Sequence, residues 1–471
     1  MTAHKLGRRA FLKSLGAVAV SAAAGAAAAG RSWEKPNIVF IITDDLGYAD
    51  LGCYGSQAID TPNIDRMAAE GMRFTDAYSG CTVCAPARSC LMTGYHMGHT
   101  SVRLNTGGVP LLDEDVTVAE VLKSAGYVCG GFGKWGLGDV GTSGVPERHG
   151  FDIFFGYYHQ VHAHNYYPEY LWCNSEKVPL PENAGGKRKQ YSHYLIFEQT
   201  LKFIRENKER PFFCYAPWTP PHGHYEIPEE DPAWEKYKDE PWPKEAKVVA
   251  AMVSMIDRQV GQLLGLLREL GIAQKTIVFF TSDNGAARRF EGTLNSCGPL
   301  RGMKRDLYEG GIRVPMIAWW PGMIQPGAVS DFPWYFPDVR PTLTELAGMS
   351  WTTPLDGISI VPTLLGEEVA GHEQQQRKFM YWEWARYNWA KRQLVPGGVA
   401  QAVRMGRWKA VRPRSGAPLE LYDLSSDLGE KHNIAGEHPE IVAQIERYLA
   451  TCRSNPRPQS EPPKPRGKRF M

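Results

Sequence analysis

The chain has 471 residues, a length that fits two or three average domains or one long α/β enzyme with a large core. Its formal net charge of +2 excludes a global field that would draw it to nucleic acid or to a membrane surface. Nine cysteines, an odd number with no regular C-x-x-C array, exclude a zinc-ribbon or disulfide-framework protein.

Gly7-Arg8-Arg9-Ala10-Phe11-Leu12-Lys13 resembles a twin-arginine export motif. The apolar stretch that follows, residues 15–29, is built mostly of Ala, Gly and Val and is short for a membrane span. Ala27-Ala28-Ala29 offers a small-residue cleavage site. Residues 1–30 are therefore expected to be a signal peptide read by the twin-arginine export machinery, with the uncleaved anchor as the alternative. The expected mature protein is periplasmic or secreted, without stable membrane anchoring.

Further along, Asn37 to Thr43 is a continuous apolar, β-branched run that leads into Asp44-Asp45. Helical patterns follow at about 62–70 and 116–125. A run from Tyr127 to Phe132 then leads into Gly133-Lys134-Trp135. After a helix at about 193–206, the run Pro211 to Ala216 ends near Pro221-His222. A helix at about 245–270 carries Met252, Met255, Ile256, Val260, Leu263 and Leu267 at helical spacing. Thr276 to Ser282 repeats the first run and leads into Asp283-Asn284-Gly285. Runs without alternation suit strands buried on both faces of a parallel sheet. The expected fold class is α/β, a large mostly parallel sheet with helices on both faces over 31–375. Aromatic and alternating stretches (379–384, 401–411, 419–424) and a helix at about 438–451 predict a small antiparallel sheet packed with a helix over 376–456. Residues 457–471 read as a disordered, basic, Pro-rich tail.

In open α/β sheets, sites form at the C-terminal edge of the strands. Asp44, Asp45, Asp283 and Asn284 would meet there and offer only oxygen ligands, which select Ca²⁺, Mg²⁺ or Mn²⁺ over zinc. Taken singly, each pair also reads as a helix cap or a turn. Between the two strands lies Cys84-Ala85-Pro86-Ala87-Arg88, with Thr93-Gly94 after it. Pro86 suits the first turn of a helix, which places Cys84 near a positive helix end and Arg88 one turn beyond it. Cys81-Thr82-Val83-Cys84 also forms a C-x-x-C, but the short N-terminal βαβ unit of a thioredoxin-like context is absent.

C-x-P-x-R followed by T-G resembles the formylglycine-dependent (type I) sulfatases. Matches in the same order along the chain are Gly133-Lys134-Trp135, Pro221-His222, Lys304, Glu309-Gly310-Gly311, Asp356-Gly357 and Glu420-Leu421-Tyr422-Asp423-Leu424. The resemblance covers about 35–450 and implies an alkaline phosphatase-like fold. It implies that Cys84 is converted by a formylglycine-generating enzyme to 3-oxoalanine (formylglycine), the hydrated nucleophile. It further implies a cation, Ca²⁺ ahead of Mg²⁺, on Asp44, Asp45, Asp283, Asn284 and residue 84. Arg88 and Lys134 would hold the hydrate, and Lys134, His222 and Lys304 would grip the sulfate and the leaving oxygen.

One position departs from the pattern. The family's G-K-W-H-L-G has Gly136 here in place of the histidine that helps release sulfate. Among His159, His162 and His164, His164 is the expected substitute base. The expected activity is hydrolysis of a sulfate ester on a sulfated saccharide, since aromatics crowd 157–172 and 381–389. Gly133-Lys134-Trp135-Gly136-Leu137-Gly138 followed by His164-Asn165-Tyr166-Tyr167-Pro168 resembles bacterial polysaccharide sulfatases, and that resemblance implies a sugar of galactose or N-acetylgalactosamine type. The alternatives are a phosphodiesterase or phosphonate hydrolase of the same superfamily, and a non-catalytic glycan-binding relative.

Overall fold

β1 (Asn37–Thr43) is buried at every position, as a run without polar alternation requires. The computed structural model describes residues 33–388, 390–391 and 393–455. The twin-arginine motif, the apolar stretch after it and the basic tail lie outside the described residues.

Ten strands form the main sheet. After β1 come β2 (Met72–Phe74), with β3 (Ala77–Tyr78) outside the main sheet, then β4 (Val128–Lys134) and β5 (Ile153–Tyr157). β6 (Tyr170–Cys173), β7 (Glu176–Pro179), β8 (Phe212–Pro217), β9 (Thr276–Ser282), β10 (Met316–Trp319) and β11 (Ala328–Ser330) follow. The order is β11-β2-β10-β9-β1-β8-β4-β5-β6-β7. Its centre, β9 to β5, is parallel, while β10 and the β6–β7 hairpin run antiparallel to their neighbours. β3 pairs separately with β12 (Trp334–Tyr335).

Two apolar cores lie on the two faces. Ile38, Phe40 and Ile42 of β1 join one, Val39 and Ile41 the other. This alternation follows from the period-2 geometry of a strand. Helices α1 (Pro62–Glu70), α2 (Cys84–Thr93), α3 (Val118–Ser124), α4 (Ser192–Asn207) and α5 (Lys244–Glu269) divide between them. Leu91 of α2 and Leu122 of α3 pack into the first core. Ile64 of α1, Ile196 of α4 and Val260 of α5 pack into the second. The mostly parallel α/β class is thus the observed one.

The second sheet is antiparallel: β13 (Met380–Asn388), β14 (Gln393–Met405), β15 (Trp408–Arg412) and β16 (Glu420–Asp423). Ile445 and Leu449 of α6 (Pro439–Leu449) are buried with it. The predicted stretch 401–411 is two strands rather than one, because the chain turns at Gly406, where φ is 58°. Polar and apolar residues alternate through the turn, so pattern alone did not reveal it. Trp382 of β13 ties the second sheet to the segment that follows β3 by donating to the Ser79 carbonyl at 2.8 Å. No helix among the described residues is long and apolar enough to cross a membrane.

Candidate active site

β1 and β9 run side by side with Thr43 beside Ser282, and the Asp283 N–H donates to the Thr43 carbonyl at 2.9 Å. The two acidic segments therefore leave adjacent strands together, and Asp44, Asp45, Asp283 and Asn284 are all buried. Asp45 sits at φ 67°, a left-handed conformation that costs a non-glycine residue energy. Its surroundings hold it there. Its N–H donates to Asp283 Oδ1 (3.3 Å), and its Oδ1 accepts from Asn284 Nδ2 (2.7 Å) and Lys304 Nζ (2.5 Å).

Cys84 opens α2, a helix whose ten residues are all buried and which no side chain caps. Its first-turn N–H groups and positive end therefore stand at the site. The Cys84 thiol donates to Asp44 Oδ1 at 3.4 Å and accepts from Lys304 Nζ at 3.5 Å. Burial, with the Asp44 charge adding, pushes the thiol up to about 12. Cys81 is pushed up to about 12 by burial as well. Reactive thiol pairs have depressed values, so a redox role for Cys81 and Cys84 has no support.

Arg88, one turn beyond Cys84, has its fork taken by two carboxylates and a carbonyl. Nε and Nη2 donate to Asp283 Oδ2 at 3.0 and 2.9 Å, Nη2 also reaches Asp44 Oδ2 at 3.3 Å, and Nη1 donates to the Lys134 carbonyl at 2.5 Å. Lys134 ends β4 and donates to Asp44 Oδ2 at 2.5 Å. The residue before it must be glycine: Gly133 has φ 138°, and a Cβ there would lie 2.0 Å from the Pro217 carbonyl oxygen. Burial opposes charge on Asp44, but Lys134, His222, Arg88 and Lys304 outweigh it and hold its carboxyl well below the usual range. Burial and the Asp44 charge push Asp283 up to about 6 against Arg88 and Lys134.

His222 follows β8, with Nε2 3.5 Å from Asp45 Oδ2. Burial holds it down at about 4 although Asp45 and Asp44 favour its charge. His164 stacks on it, ring centroids 4.4 Å apart and 21° from parallel. His159 and His162 are buried and do not line the cavity, so of the three histidines only His164 reaches the site.

Of these groups, Cys84, Lys134, His164, His222 and Lys304 line one cavity of about 740 Å³. The oxygens of Asp44, Asp45 and Asn284 suit a hard cation, and the sulfur of Cys84 and a nitrogen of His222 lie in the same cluster. Asp44, Asp45, Cys84 and His222 place ligand atoms within 4.8 Å of one another, and Asn284 Oδ1 is a buried acceptor without a partner among the described residues. Asp283 is more heavily engaged, by Arg88 and the Asp45 N–H, than its place in the sequence suggests.

Gln160, Asn105, Arg305 and Arg386 also line the cavity. Sequence reasoning missed them, because single polar residues in loops carry no spacing signal. The aromatic stretches divide. Tyr157, Tyr158 and Tyr166 are core residues, whereas Trp384 and Tyr387 line the cavity; Trp389 lies outside the described residues. Asp356 has a structural task. It accepts from the His96 N–H and from His99 Nδ1, both at 2.9 Å, which pins the segment after α2.

An open α/β sheet with buried carboxylates, lysines and a helix-start cysteine at its C-terminal edge defines an alkaline phosphatase-like hydrolase. A family model described as sulfatase matches residues 36–349, and one described as N-sulphoglucosamine sulphohydrolase, C-terminal, matches residues 303–455. The chain belongs to the sulfatase family and is a sulfuric ester hydrolase. It is 34% identical to arylsulfatase A of Homo sapiens, over 88% of this chain and 86% of that one. It is 33% identical to N-acetylgalactosamine-6-sulfatase of Canis lupus familiaris, over 91% and 87%. Among solved structures it resembles Ps i-CgsB in complex with k-i-k-neocarrahexaose, with TM-score 0.77, 28% identity and coverage of 91% and 95%.

Proposed function

We propose that this sulfatase acts on a sulfated saccharide, of galactose or N-acetylgalactosamine type, with formylglycine formed from Cys84 by a formylglycine-generating enzyme. The observation that carries the reading is the cavity with Cys84 in its lining and Lys134, Lys304 and His222 around it. A sulfate ester is anionic and must approach buried carboxylates, so fixed positive groups have to offset them. A cavity of about 740 Å³ is far larger than one sulfate group and leaves room for a sugar. Conversion of the Cys84 side chain from CH₂SH to CHO supplies, on hydration, one hydroxyl to attack sulfur and a second to release sulfate.

Asp44, Asp45, Asp283 and Asn284 would hold a divalent cation, Ca²⁺ ahead of Mg²⁺, with residue 84 as a further ligand. Such an ion would polarise a sulfate oxygen and anchor the nucleophile. Arg88 orients Asp44 and Asp283, and Lys134 lies against Asp44 where it can also reach the substrate. Lys304, whose charge burial opposes and Asp45 more than restores, donates the proton to the departing alkoxide, whereas His222, held down at about 4 by burial, is neutral and would first have to gain its proton. Chelation should lower the thermal midpoint as well as turnover, because an ion bound only to the folded state at a hundred times its Kd stabilises by about 2.7 kcal/mol. An unchanged midpoint and activity after exhaustive chelation would remove the cation from the site.

With no side chain at Gly136, His164 takes the release proton. Burial, with His222 and Lys134 adding, holds its imidazolium well below the ordinary histidine value, which keeps the ring neutral but makes it a weak base in this state, so the role rests on its place beside His222 in the cavity. His164→Ala should slow sulfate release by about 10²–10⁴-fold while the first turnover still appears as a burst in rapid-quench kinetics. Release at the wild-type rate would sink this role. Assaying phosphate diesters beside sulfated sugars separates the sulfatase reading from a phosphodiesterase one.

Export through the twin-arginine machinery to the periplasm or beyond is proposed on Arg8-Arg9. The nine cysteines, Cys53 to Cys452, stand as free thiols, which suits a chain that folds in a reducing compartment before export.

A further inference from the structure

The cavity wall that includes Cys84 carries buried polar atoms that no described residue satisfies. Gln160 is 5% exposed and lines the cavity with Lys134 and His164; its Nε2 is buried and has no hydrogen-bond partner among the described residues. Asn105 lines the same cavity, and its Oδ1 is likewise buried and without a partner. The hydroxyl of the adjacent Thr106 is in the same state. The two segments are packed together, since a Cβ on Gly107 would lie 3.1 Å from the His159 ring. Folded proteins rarely leave buried polar groups open, and Gln160 and Asn105 present two such atoms, a donor and an acceptor, in one cavity wall, where a ligand can close them.

The chemistry of that ligand follows from the donors and acceptors. A sulfate oxygen only accepts, so it would satisfy the Gln160 amide and be repelled by Asn105 Oδ1. A hydroxyl both donates and accepts, and so matches an open donor together with an open acceptor. We infer that Gln160 and Asn105 form a hydroxyl subsite that reads a free hydroxyl of the sugar ring carrying the sulfate. The inference rests on the saccharide reading of the substrate.

Gly136 makes room for this subsite. It stands at φ 81°, and a Cβ on it would lie 3.3 Å from Gln160 Cγ and 3.4 Å from Nε2. A Cβ at 136 would press the Gln160 side chain aside by a few tenths of an ångström, besides the strain of the positive φ. The bare backbone at 136 and the glutamine over it are one arrangement, in which a position without a side chain hands its space to a substrate-reading group.

The test compares kcat/KM of the intact enzyme on sulfated galactosides and N-acetylgalactosaminides, on their monodeoxy analogues, and on nitrophenyl sulfate, which has no ring hydroxyl. One monodeoxy analogue should lose about tenfold or more against its parent, because it leaves both open groups unpaired. Gln160→Leu, close in size but without the amide, should lose at least about tenfold more on the sugar than on nitrophenyl sulfate. It should also abolish the discrimination against that analogue, so that the two losses do not add. Asn105→Ala should repeat the pattern and carries the test if Gln160→Leu fails to fold. Equal losses on sugar and aryl sulfates would place Gln160 in sulfate binding and overturn the proposal, as would no loss on either. Cleavage of nitrophenyl sulfate but of no sugar sulfate would instead overturn the saccharide reading on which the proposal rests.

Discussion

Cys84→Ala should lower hydrolysis of sulfate esters by on the order of 10⁶-fold, the scale on which nucleophile removal acts in a preorganised site. The surroundings explain why nothing else compensates. Cys84 Sγ lies between Asp44 Oδ1 and Lys304 Nζ, at 3.4 and 3.5 Å, so a carboxylate of the cation set and a lysine of the sulfate set meet at this one atom. An unconverted thiol would not serve either. Pushed up to about 12 by burial and by Asp44, it stays protonated at neutral pH, and the thiolate is the reactive form. Protein carrying CH₂SH at position 84 should therefore be as inactive as the alanine variant, and activity should track the fraction carrying CHO. Mass spectrometry of the peptide with Cys84, read beside the turnover of the same preparation, checks this. Cys84→Ser separates the two half-reactions. One hydroxyl can attack sulfur, but no second hydroxyl exists to expel sulfate, so labelled sulfate should stay on the protein after a single event. Full turnover by the alanine variant, or by a preparation with an intact thiol, would overturn the nucleophile assignment.

Lys409→Met should be the most destabilising change outside the site, at roughly 3–5 kcal/mol, the cost of removing one partner from a buried ionic group. Lys409 is fully buried on β15 and donates to Glu309 Oε1 at 2.8 Å and to Glu430 Oε1 at 3.2 Å. Glu309 also accepts from the Tyr78 hydroxyl at 2.6 Å and from Arg313 at 3.2 Å, while Glu430 accepts from the Glu309 N–H at 2.7 Å. Methionine keeps the stem and removes the charge, leaving two carboxylates facing one another without water. Arg407→Met, which breaks the exposed pair with Asp423, should change stability by no more than about 0.5 kcal/mol and serves as the control.

The pH dependence of that deficit has a definite sign. Burial opposes charge on Glu309, but Lys409, Arg313 and Arg404 outweigh it and hold it down at about 2. A depressed carboxylate contributes stability that is complete above its ordinary value, near 4.5, and is lost as pH falls toward 2. Glu430 goes the other way, pushed up to about 7 by burial and by the Glu309 charge against Lys409. Its raised value favours the folded state as pH falls from about 7 toward 4.5. The gap between wild type and Lys409→Met should thus be widest above pH 7, where both carboxylates are charged, and narrow as each is neutralised. Denaturant titrations at a series of pH values measure it, and a gap that widens in acid would contradict the buried triad.

Much was legible without coordinates because the signals were local. A run with no polar alternation buries both strand faces, so β1 and β9 and the acidic segments after them could be read from single stretches of chain. Cys84, Pro86 and Arg88 at fixed spacing could be read in the same way, because helix geometry links residues four apart. The family resemblance ordered Lys134, His222 and Lys304 along the chain, and the fold brought them to one cavity.

The sequence by itself determined the fold class, the acidic strand ends and the cysteine at the helix start. Only the tertiary structure decided that Arg88 would spend its fork on Asp283, Asp44 and the Lys134 carbonyl. It alone brought His164 rather than His159 or His162 onto His222, laid Gln160 over Gly136, and closed Lys409 between two glutamates, one a hundred residues away from it along the chain and the other twenty-one. Periodicity and spacing report what a residue does to its near neighbours. Which distant side chains share a buried polar wall depends on how the loops after separate strands pack, and no short-range pattern encodes that.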